Sequence, residues 1–226
     1  MKEFNLLSDY SKKKVKRFVG KGIRTIDHRI IASEREKLFF DGDRNCGYGG
    51  LKYDERWNGV AKKLIKKFNL NNNSRILQIA SEKGFLIYEI QKLNPKINIL
   101  GVETSSYAIS KTIKPVRKFI KKIKTFSEIS SIKGKFDCVI ALGAVYIHTL
   151  NDAIQLLKNI QRLSKGKSFI TLASYETEKE YWMFKDWSVL GTLLFKKKEW
   201  KKIMKYAGYT GYYSFTNSKK LRLKRK

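Results

Sequence analysis

The sequence has 226 residues, of which 42% are hydrophobic and 13% aromatic, a composition that predicts one packed domain with a modest extension and excludes global disorder. Its two cysteines match no metal or redox spacing, so we expect no metal site. No apolar run is long enough to cross a membrane, and the first residues lack the features of a secretory signal, so we expect a cytoplasmic protein. The formal net charge of +29 leaves two interpretations open, which are an affinity for nucleic acid or another polyanion and a compositional bias towards lysine.

The first 50 residues form a preamble to the core. The pattern divides them into a basic, helix-like stretch with a weak apolar face and a turn-rich segment at residues 41–50. From Asp54 to Phe68, apolar residues recur at the spacing of one helix face, which predicts an amphipathic helix with its lysines on the far side. The asparagines at positions 71–73 end this helix and lead into the first strand of the core.

From residue 75 onwards, short apolar strands alternate with helical patterns. The predicted strands are 75–80, 97–103, 136–142, 167–173 and 209–215, with a further short strand within 114–124, and the predicted helices are 85–93, 107–113, 151–163, 178–190 and 197–206. This alternation predicts an α/β fold with a mainly parallel sheet covered by helices on both faces. Ligands of such sheets bind at the carboxyl ends of the strands, so the positions just after Ala80, Glu103 and Leu142 are expected to line one crevice.

Two features of this crevice point to a ligand. Gly84 lies in the turn between the first core strand and the next helix, where glycine lets the backbone approach a ligand closely. Glu103 ends the second strand, about 20 residues further on, where a carboxylate can accept both hydroxyls of a ribose. Each feature alone also fits an ordinary turn or a solvated acid. Together they predict a ligand that contains a nucleoside.

The stretch from Ser74 to Ser106 resembles the first two motifs of class I S-adenosylmethionine-dependent methyltransferases, in which a glycine-rich turn follows the first strand and the second strand ends in an acid. Further segments resemble one bacterial branch of these enzymes in the same order, so the likeness extends over about residues 35–215. These segments are 41–44, 48–57, 83–86, 106–109, 136–137, 199–200 and 207–211. The resemblance implies a Rossmann-like methyltransferase fold, doubly wound with an antiparallel last strand, and S-adenosylmethionine as cofactor with S-adenosylhomocysteine as product.

The resemblance also implies the cofactor-binding positions, and the chain departs from the family pattern at three of them. Gln78 stands in place of the first strand's acid, and Ala80 and Glu82 stand in place of the first two glycines. The side chain of Glu82 takes up room beside the cofactor and lacks glycine's freedom at positive φ, although its carboxylate could meet the cofactor's amino group. The implied cofactor-binding residues are Gln78, Ala80, Ser81, Glu82, Gly84, Glu103, Thr104, Leu142, Gly143, Arg56 and Tyr48.

Two residues near strand ends are candidates for catalysis. His148 follows the strand at 136–142, where an acceptor would lie, and an imidazole there can take a proton. Glu176 follows the strand at 167–173 and is expected to border the same crevice, as a base or an acceptor-binding group. An incidental histidine and a solvated acid remain the alternatives. Candidates for a lid over the cofactor, or for a helix packed on the sheet edge, are Tyr48, Tyr53, Arg56 and Trp57.

The resemblance implies direct displacement at the methyl carbon of the cofactor's sulfonium, a reaction that needs mainly positioning and removal of a proton. We therefore predict S-adenosylmethionine-dependent methyl transfer to a small-molecule or sugar-like acceptor. Two alternatives stay open, a catalytically silent relative and a nucleic-acid methyltransferase or binder that uses the basic surface. The predicted organisation is an extension at 1–50, a methyltransferase domain at 51–217 and a solvated basic tail at 218–226; the oligomeric state stays open.

Overall fold

The protein is described from a computed structural model that covers residues 1–10 and 17–226. The strands are β1 (Lys2–Glu3), β2 (Arg17–Val19), β3 (Arg75–Ile79), β4 (Asn98–Glu103), β5 (Ile120–Lys122), β6 (Cys138–Ala141), β7 (Ser168–Tyr175), β8 (Phe195–Lys196), β9 (Tyr212–Thr216) and β10 (Leu223–Arg225). The α-helices are α1 (Ile26–Glu34), α2 (Lys37–Asp41), α3 (Asn58–Phe68), α4 (Phe85–Leu93), α5 (Ser106–Ser110), α6 (Leu150–Leu163), α7 (Glu178–Trp187), α8 (Lys197–Tyr206) and α9 (Ser218–Leu221). Short 3-10 helices occupy Leu6–Asp9, Lys114–Phe119, Phe126–Ser131 and Val145–Ile147.

An eight-stranded sheet forms the centre of the molecule. Its order is β1, β9, β7, β6, β3, β4, β5, and β8 pairs with β7 outside this path. The strand pairs of this sheet are parallel, so β3, β4, β6 and β7 end at the same edge. The prediction of a mainly parallel, Rossmann-like sheet flanked by helices is confirmed, and the edge at which these strands end is where a ligand site is expected.

The prediction of an antiparallel last strand is wrong. In the sheet, β9 pairs with β7 in parallel, from Phe169↔Tyr212 to Ala173↔Thr216. The reason is the connection, because α8 lies between β8 and β9 and returns the chain to the edge at which β7 begins. Parallel neighbours need such a crossover, whereas a tight hairpin would have given an antiparallel pair.

Helices cover both faces of the sheet, and alternate side chains of β3 show how. Leu77 and Ile79 pack into the cluster that contains Leu157 of α6 and Trp200 of α8. Ile76 packs on the opposite face, in the cluster that contains the buried residues of α3 and α4. Burial on both faces explains the nearly continuous apolar sequence of these strands. Among the described residues, no helix is long and apolar enough to cross a membrane.

Both ends of the chain are built into the fold. β1 pairs with β9 at one edge of the main sheet, and β10 pairs with β2 in a separate two-stranded sheet. The lysines and arginines of residues 218–226 are exposed, whereas Leu223 of β10 is buried and anchors this tail beside its strand partner. The basic stretch predicted as helix-like lies partly at residues 11–16, outside the described residues, and continues as β2.

Candidate functional site

The turn between β3 and α4 has the backbone geometry of a glycine-rich loop. Ala80, Glu82 and Gly84 lie in the left-handed region, with φ angles of +57°, +52° and +75°. For residues with a Cβ this conformation costs on the order of 1 kcal/mol each. At Gly84 a Cβ would also approach Ile120 and Thr112 to 3.0 Å, so two independent reasons favour glycine there. The turn therefore keeps a glycine-like path although two of its three left-handed positions carry side chains.

Glu103, the last residue of β4, is fully buried beside this turn. Its carboxylate accepts hydrogen bonds from the backbone N–H groups of Glu82 at 2.8 Å, Thr104 at 2.8 Å and Ser105 at 3.1 Å. The Nη2 atom of Arg35 lies 3.4 Å from the same carboxylate. Glu103 thus links the end of β4 to the turn after β3 and forms an ion pair with Arg35 from the N-terminal part of the chain.

Residues 26–57, here called the strap, cross the edge at which β3 and β4 end. Glu36 accepts hydrogen bonds from the N–H groups of Ser106 and Tyr107 at the start of α5, at 3.0 and 2.8 Å. Lys83, buried in the β3–α4 turn, donates to both carboxylate oxygens of Asp41 at 2.6 and 2.7 Å. Sequence reasoning missed these anchors, because each joins residues far apart in the chain, although a lysine inside the turn is an unusual signal.

Tyr48 of the strap covers Glu82, and its hydroxyl donates a hydrogen bond to the Glu82 carboxylate. Burial is the main reason why the pKa of Glu82 rises to about 7. Burial also raises the pKa of the Tyr48 hydroxyl well above its ordinary value. At neutral pH Glu82 therefore exchanges between its neutral and ionised forms while Tyr48 stays a donor.

The other lid candidates lie further out on the strap. The Tyr53 hydroxyl donates to Glu89 of α4, which is fully buried. Arg56 bonds to Asp54, with Nε 2.7 Å from Oδ1, and its guanidinium lies 5.5 Å from the ring centre of Tyr10. Arg56 thus bonds to a neighbouring acid of the strap, and the structure brings Arg35 to the carboxylate at the strand end.

A cavity of about 470 Å³ lies next to Arg35 at the ends of β4, β5 and β6. Its lining residues are Ser33, Glu34, Arg35, Thr104, Lys124, Thr125, Phe126, Ile147, His148, Val189, Leu190 and Thr192. Two of them, Arg35 at Nε and His148 at Nε2, hold buried nitrogen atoms that have no hydrogen-bond partner within the described part of the chain. The cavity brings the predicted residues Thr104 and His148 together and offers two donors or acceptors to a ligand.

His148 is held at the rim of β6 by its backbone and by one ring contact. Its carbonyl accepts a hydrogen bond from the Thr192 hydroxyl at 2.7 Å, and its ring meets Phe126 edge to face at 5.3 Å. Burial is the main reason why the pKa of His148 is lower than usual. At neutral pH the imidazole is therefore uncharged and able to accept a proton.

The remaining predicted residues fall into two groups. Gln78 is buried beside the turn and its Oε1 has no partner within residues 1–10 and 17–226, while Gly143 has φ +68° and donates from its N–H to Thr171. Glu176 instead lines a separate cavity after β7 and forms an ion pair with Lys197 at 3.5 Å. The structure thus does not bring Glu176 and His148 into one cavity.

The family described as methyltransferase domain matches residues 70–208. No curated protein matches the sequence.

Solved structures share the fold at low sequence identity. A proposed methyltransferase of Bacillus halodurans is 13% identical with a TM-score of 0.50 and covers 66% of this chain and 68% of its own. The complex of the Haloferax volcanii Trm112 methyltransferase activator with a proposed methyltransferase is 13% identical with a TM-score of 0.50. This match covers 67% of the present chain and 68% of the other chain. Rickettsia typhi PKMT2 with bound AdoHcy is 21% identical with a TM-score of 0.38, over 45% of this chain and only 22% of that chain. Because the family match spans more than half of the sequence, the predicted resemblance to methyltransferases is confirmed: the chain belongs to the family described as methyltransferase domain.

Proposed function

We propose that this protein transfers a methyl group from S-adenosylmethionine to a small-molecule or sugar-like acceptor. The observation that carries the proposal is the left-handed turn at Ala80–Gly84 beside the buried carboxylate of Glu103, next to a cavity of about 470 Å³. A turn that brings backbone close to a ligand and a carboxylate that accepts ribose hydroxyls are what a nucleoside cofactor requires at this edge.

The residues present fit this cofactor if one side chain moves. The Glu103 carboxylate accepts hydrogen bonds from the backbone N–H groups of Glu82 and Thr104. Among the described residues, the charged side chain that contacts this carboxylate is Arg35. The Arg35 contact with Glu103 is long, at 3.4 Å. The buried Nε of Arg35 has no hydrogen-bond partner among the described residues, so the hydrogen-bonding capacity of this guanidinium is only partly used. Ribose hydroxyls would replace a weak contact of a flexible side chain rather than a backbone hydrogen bond.

In this arrangement the turn residues Ala80, Ser81 and Gly84 lie against the cofactor, with Gln78 below them. Thr104, Leu142 and Gly143 follow β4 and β6, and we assign them to the same crevice. Tyr48 covers the turn from the strap and bonds to Glu82. An ionised Glu82 attracts the positive charge of a bound sulfonium or ammonium group.

When bound, S-adenosylmethionine supplies a methyl group on a positively charged sulfur, which the acceptor takes in one displacement. His148 is the residue that we assign to the acceptor's proton. Its imidazole is uncharged at pH 7, and it follows the 3-10 helix Val145–Ile147 that comes after β6. Its buried Nε2 has no hydrogen-bond partner among the described residues. Positioning supplies most of the remaining rate, since the reaction needs an in-line approach and little else from the protein.

A thermal-shift titration with S-adenosylmethionine and S-adenosylhomocysteine, with NAD as control, tests the proposal. Ligand at 100 times its dissociation constant stabilises a fold by roughly 2.7 kcal/mol, which is a shift of several degrees for a chain of this size. We expect a saturable shift with both sulfur nucleosides and none with NAD. Binding of neither nucleoside would contradict the proposal.

The second candidate is a catalytically silent methyltransferase-like protein. The cover of Arg35 over Glu103 and the side chain of Glu82 at a left-handed position favour it. It predicts no shift with the wild-type protein and a clear shift once Glu82 is replaced by glycine and Gln78 by aspartate. A nucleic-acid partner for the basic surface remains a prediction from composition, which binding that falls steeply with salt would support.

A further inference from the structure

A second cavity, of about 450 Å³, opens at the end of β7, and β6 and β3 separate β7 from Glu103 in the sheet order. Its lining residues are Tyr175, Glu176, Glu178, Tyr181, Trp182 and Lys196. The volume falls within the range of roughly 300–1,000 Å³ that small-molecule cavities have. Cofactor binding as proposed above makes no use of this cavity.

Three aromatic rings form its wall. The Tyr175 and Tyr181 rings lie 5.1 Å apart at 72°, and the Tyr181 and Trp182 rings lie 5.2 Å apart at 88°. Trp182 is 50% exposed, and its Nε1 donates to Glu178 at 3.3 Å, which fixes the ring. Three neighbouring aromatic rings, one of them half exposed, form a contiguous apolar surface of the kind that marks a binding site.

The charged groups around these rings balance one another. Glu176 and Glu178 face Lys196 and Lys197, with Lys197 3.5 Å from Glu176 and the Lys196 ammonium 5.9 Å from the Tyr175 ring centre. A cationic ligand would meet two lysines in a chain of net charge +29, and an anionic one would meet two carboxylates. The balance favours a neutral ligand that both donates and accepts hydrogen bonds.

The loop that carries Glu176 is held in place by Glu180 of α7. Glu180 is buried, accepts a hydrogen bond from the Glu176 N–H at 2.9 Å and forms an ion pair with Lys219 of α9 at 3.0 Å. Burial alone would raise the pKa of Glu180, but these hydrogen bonds hold it below its ordinary value, so the acid stays ionised. A preorganised loop loses little conformational entropy when a ligand binds.

We propose that this cavity binds a neutral sugar ring, stacked on Trp182, with hydroxyls bonded to Glu176 and Glu178. A pyranose has an apolar C–H face for the indole and hydroxyls for the carboxylates and Lys196. The sugar bound here would be part of the methyl acceptor, and in this respect the inference rests on the proposed function. Sugar binding itself does not require the cofactor.

The experiment uses the full chain without cofactor and the methyl glycosides of glucose, galactose and mannose as probes, followed by saturation-transfer NMR and titration. Choline is the cationic control and inorganic phosphate the anionic one. We expect saturable binding of at least one glycoside that neither control displaces. Trp182→Ala is expected to weaken it roughly three- to tenfold, the effect of losing one aromatic contact, and Glu176→Gln is expected to weaken it as well.

The matched control is Tyr206→Ala, because Tyr206 is a 74% exposed aromatic residue on α8 that does not line the cavity, and we expect it to leave glycoside binding unchanged. Three outcomes would overturn the proposal: no glycoside binds, Trp182→Ala and Tyr206→Ala behave alike, or choline or phosphate displaces the glycoside. Circular dichroism of each variant reports on folding, and a parallel S-adenosylmethionine titration reports on cofactor binding. A protein that binds the glycoside but not the nucleoside contradicts the proposed function alone.

Discussion

Glu82 carries two costs that a glycine at its position would avoid. Its backbone is left-handed, with φ +52°, and its carboxylate is held under Tyr48 with a pKa raised by burial to about 7. Because the ordinary pKa is 4.5, the folded protein favours the neutral acid. The folded state therefore loses stability as the pH rises from about 4.5 through 7, where the unfolded chain has already released this proton.

Glu82→Gln is expected to remove this pH dependence. Relative to the variant, the wild-type protein should lose up to about 3 kcal/mol of unfolding free energy between pH 5 and pH 8, from a pKa shift of 4.5 to about 7. Urea unfolding of both proteins at the two pH values measures the difference. Parallel pH profiles would show that Glu82 is ionised in the folded state at all these pH values.

Arg35→Ala is expected to uncover the Glu103 carboxylate and to strengthen S-adenosylmethionine binding. The contact removed is a partly buried ion pair of 3.4 Å, so a gain of about 1 kcal/mol, or roughly fivefold in affinity, is the expected size. Calorimetric titration measures it, with Arg44→Ala as control because Arg44 is an exposed strap residue that bonds to strap carbonyls. Weaker binding in Arg35→Ala would instead make Arg35 a cofactor ligand.

For single residues, the sequence predicts those site positions that a local sequence pattern marks. Glu103 was predictable because a strand-end acid at a fixed distance from a turn glycine is visible in the sequence itself. Arg35 was not, since its partner lies 68 residues away and no local pattern links the two. Arg56, a lid candidate, bonds instead to the near neighbour Asp54.

Elements with a clear apolar period were predicted to within a few residues. The predicted ranges of α4 and α8 agree with the structure, because their buried faces repeat at helical spacing. The direction of β9 was not predictable from its own residues, since it depends on whether a helix or a hairpin precedes it. The helix predicted at 151–163 begins at Leu150 in the structure, where the Thr149 side chain caps it by accepting a hydrogen bond from the Asp152 N–H at 3.2 Å.

Thr149→Ala is expected to destabilise the protein by about 1 kcal/mol, the usual cost of losing an N-cap oxygen. Asn151→Ala is the matched control, because Asn151 is an exposed residue inside the first turn of α6, where alanine is the better helix former. Chemical denaturation of the two variants should give opposite signs. Equal losses would mean that the cap hydrogen bond does not contribute.

The molecule as a whole carries 49 lysines and arginines against 20 acids. Such an excess repels itself in the compact state, and salt screens the repulsion over a Debye length of about 8 Å at physiological ionic strength. The melting temperature should therefore rise by a few degrees when NaCl increases from about 20 mM to about 200 mM. An uncharged osmolyte of equal osmolality serves as control. A melting temperature that salt leaves unchanged would mean that local ion pairs already compensate the charge.

The pairing of β1 with β9 has a consequence for synthesis on the ribosome. Lys2 and Glu3 are made about 210 residues before their partners Tyr212 and Tyr213. Chain growth proceeds at about 5–20 residues per second, so β1 waits many seconds for the strand that it joins. β1 thus acquires its sheet neighbour long after it has been made, and the nascent chain holds an unpaired strand until β9 follows.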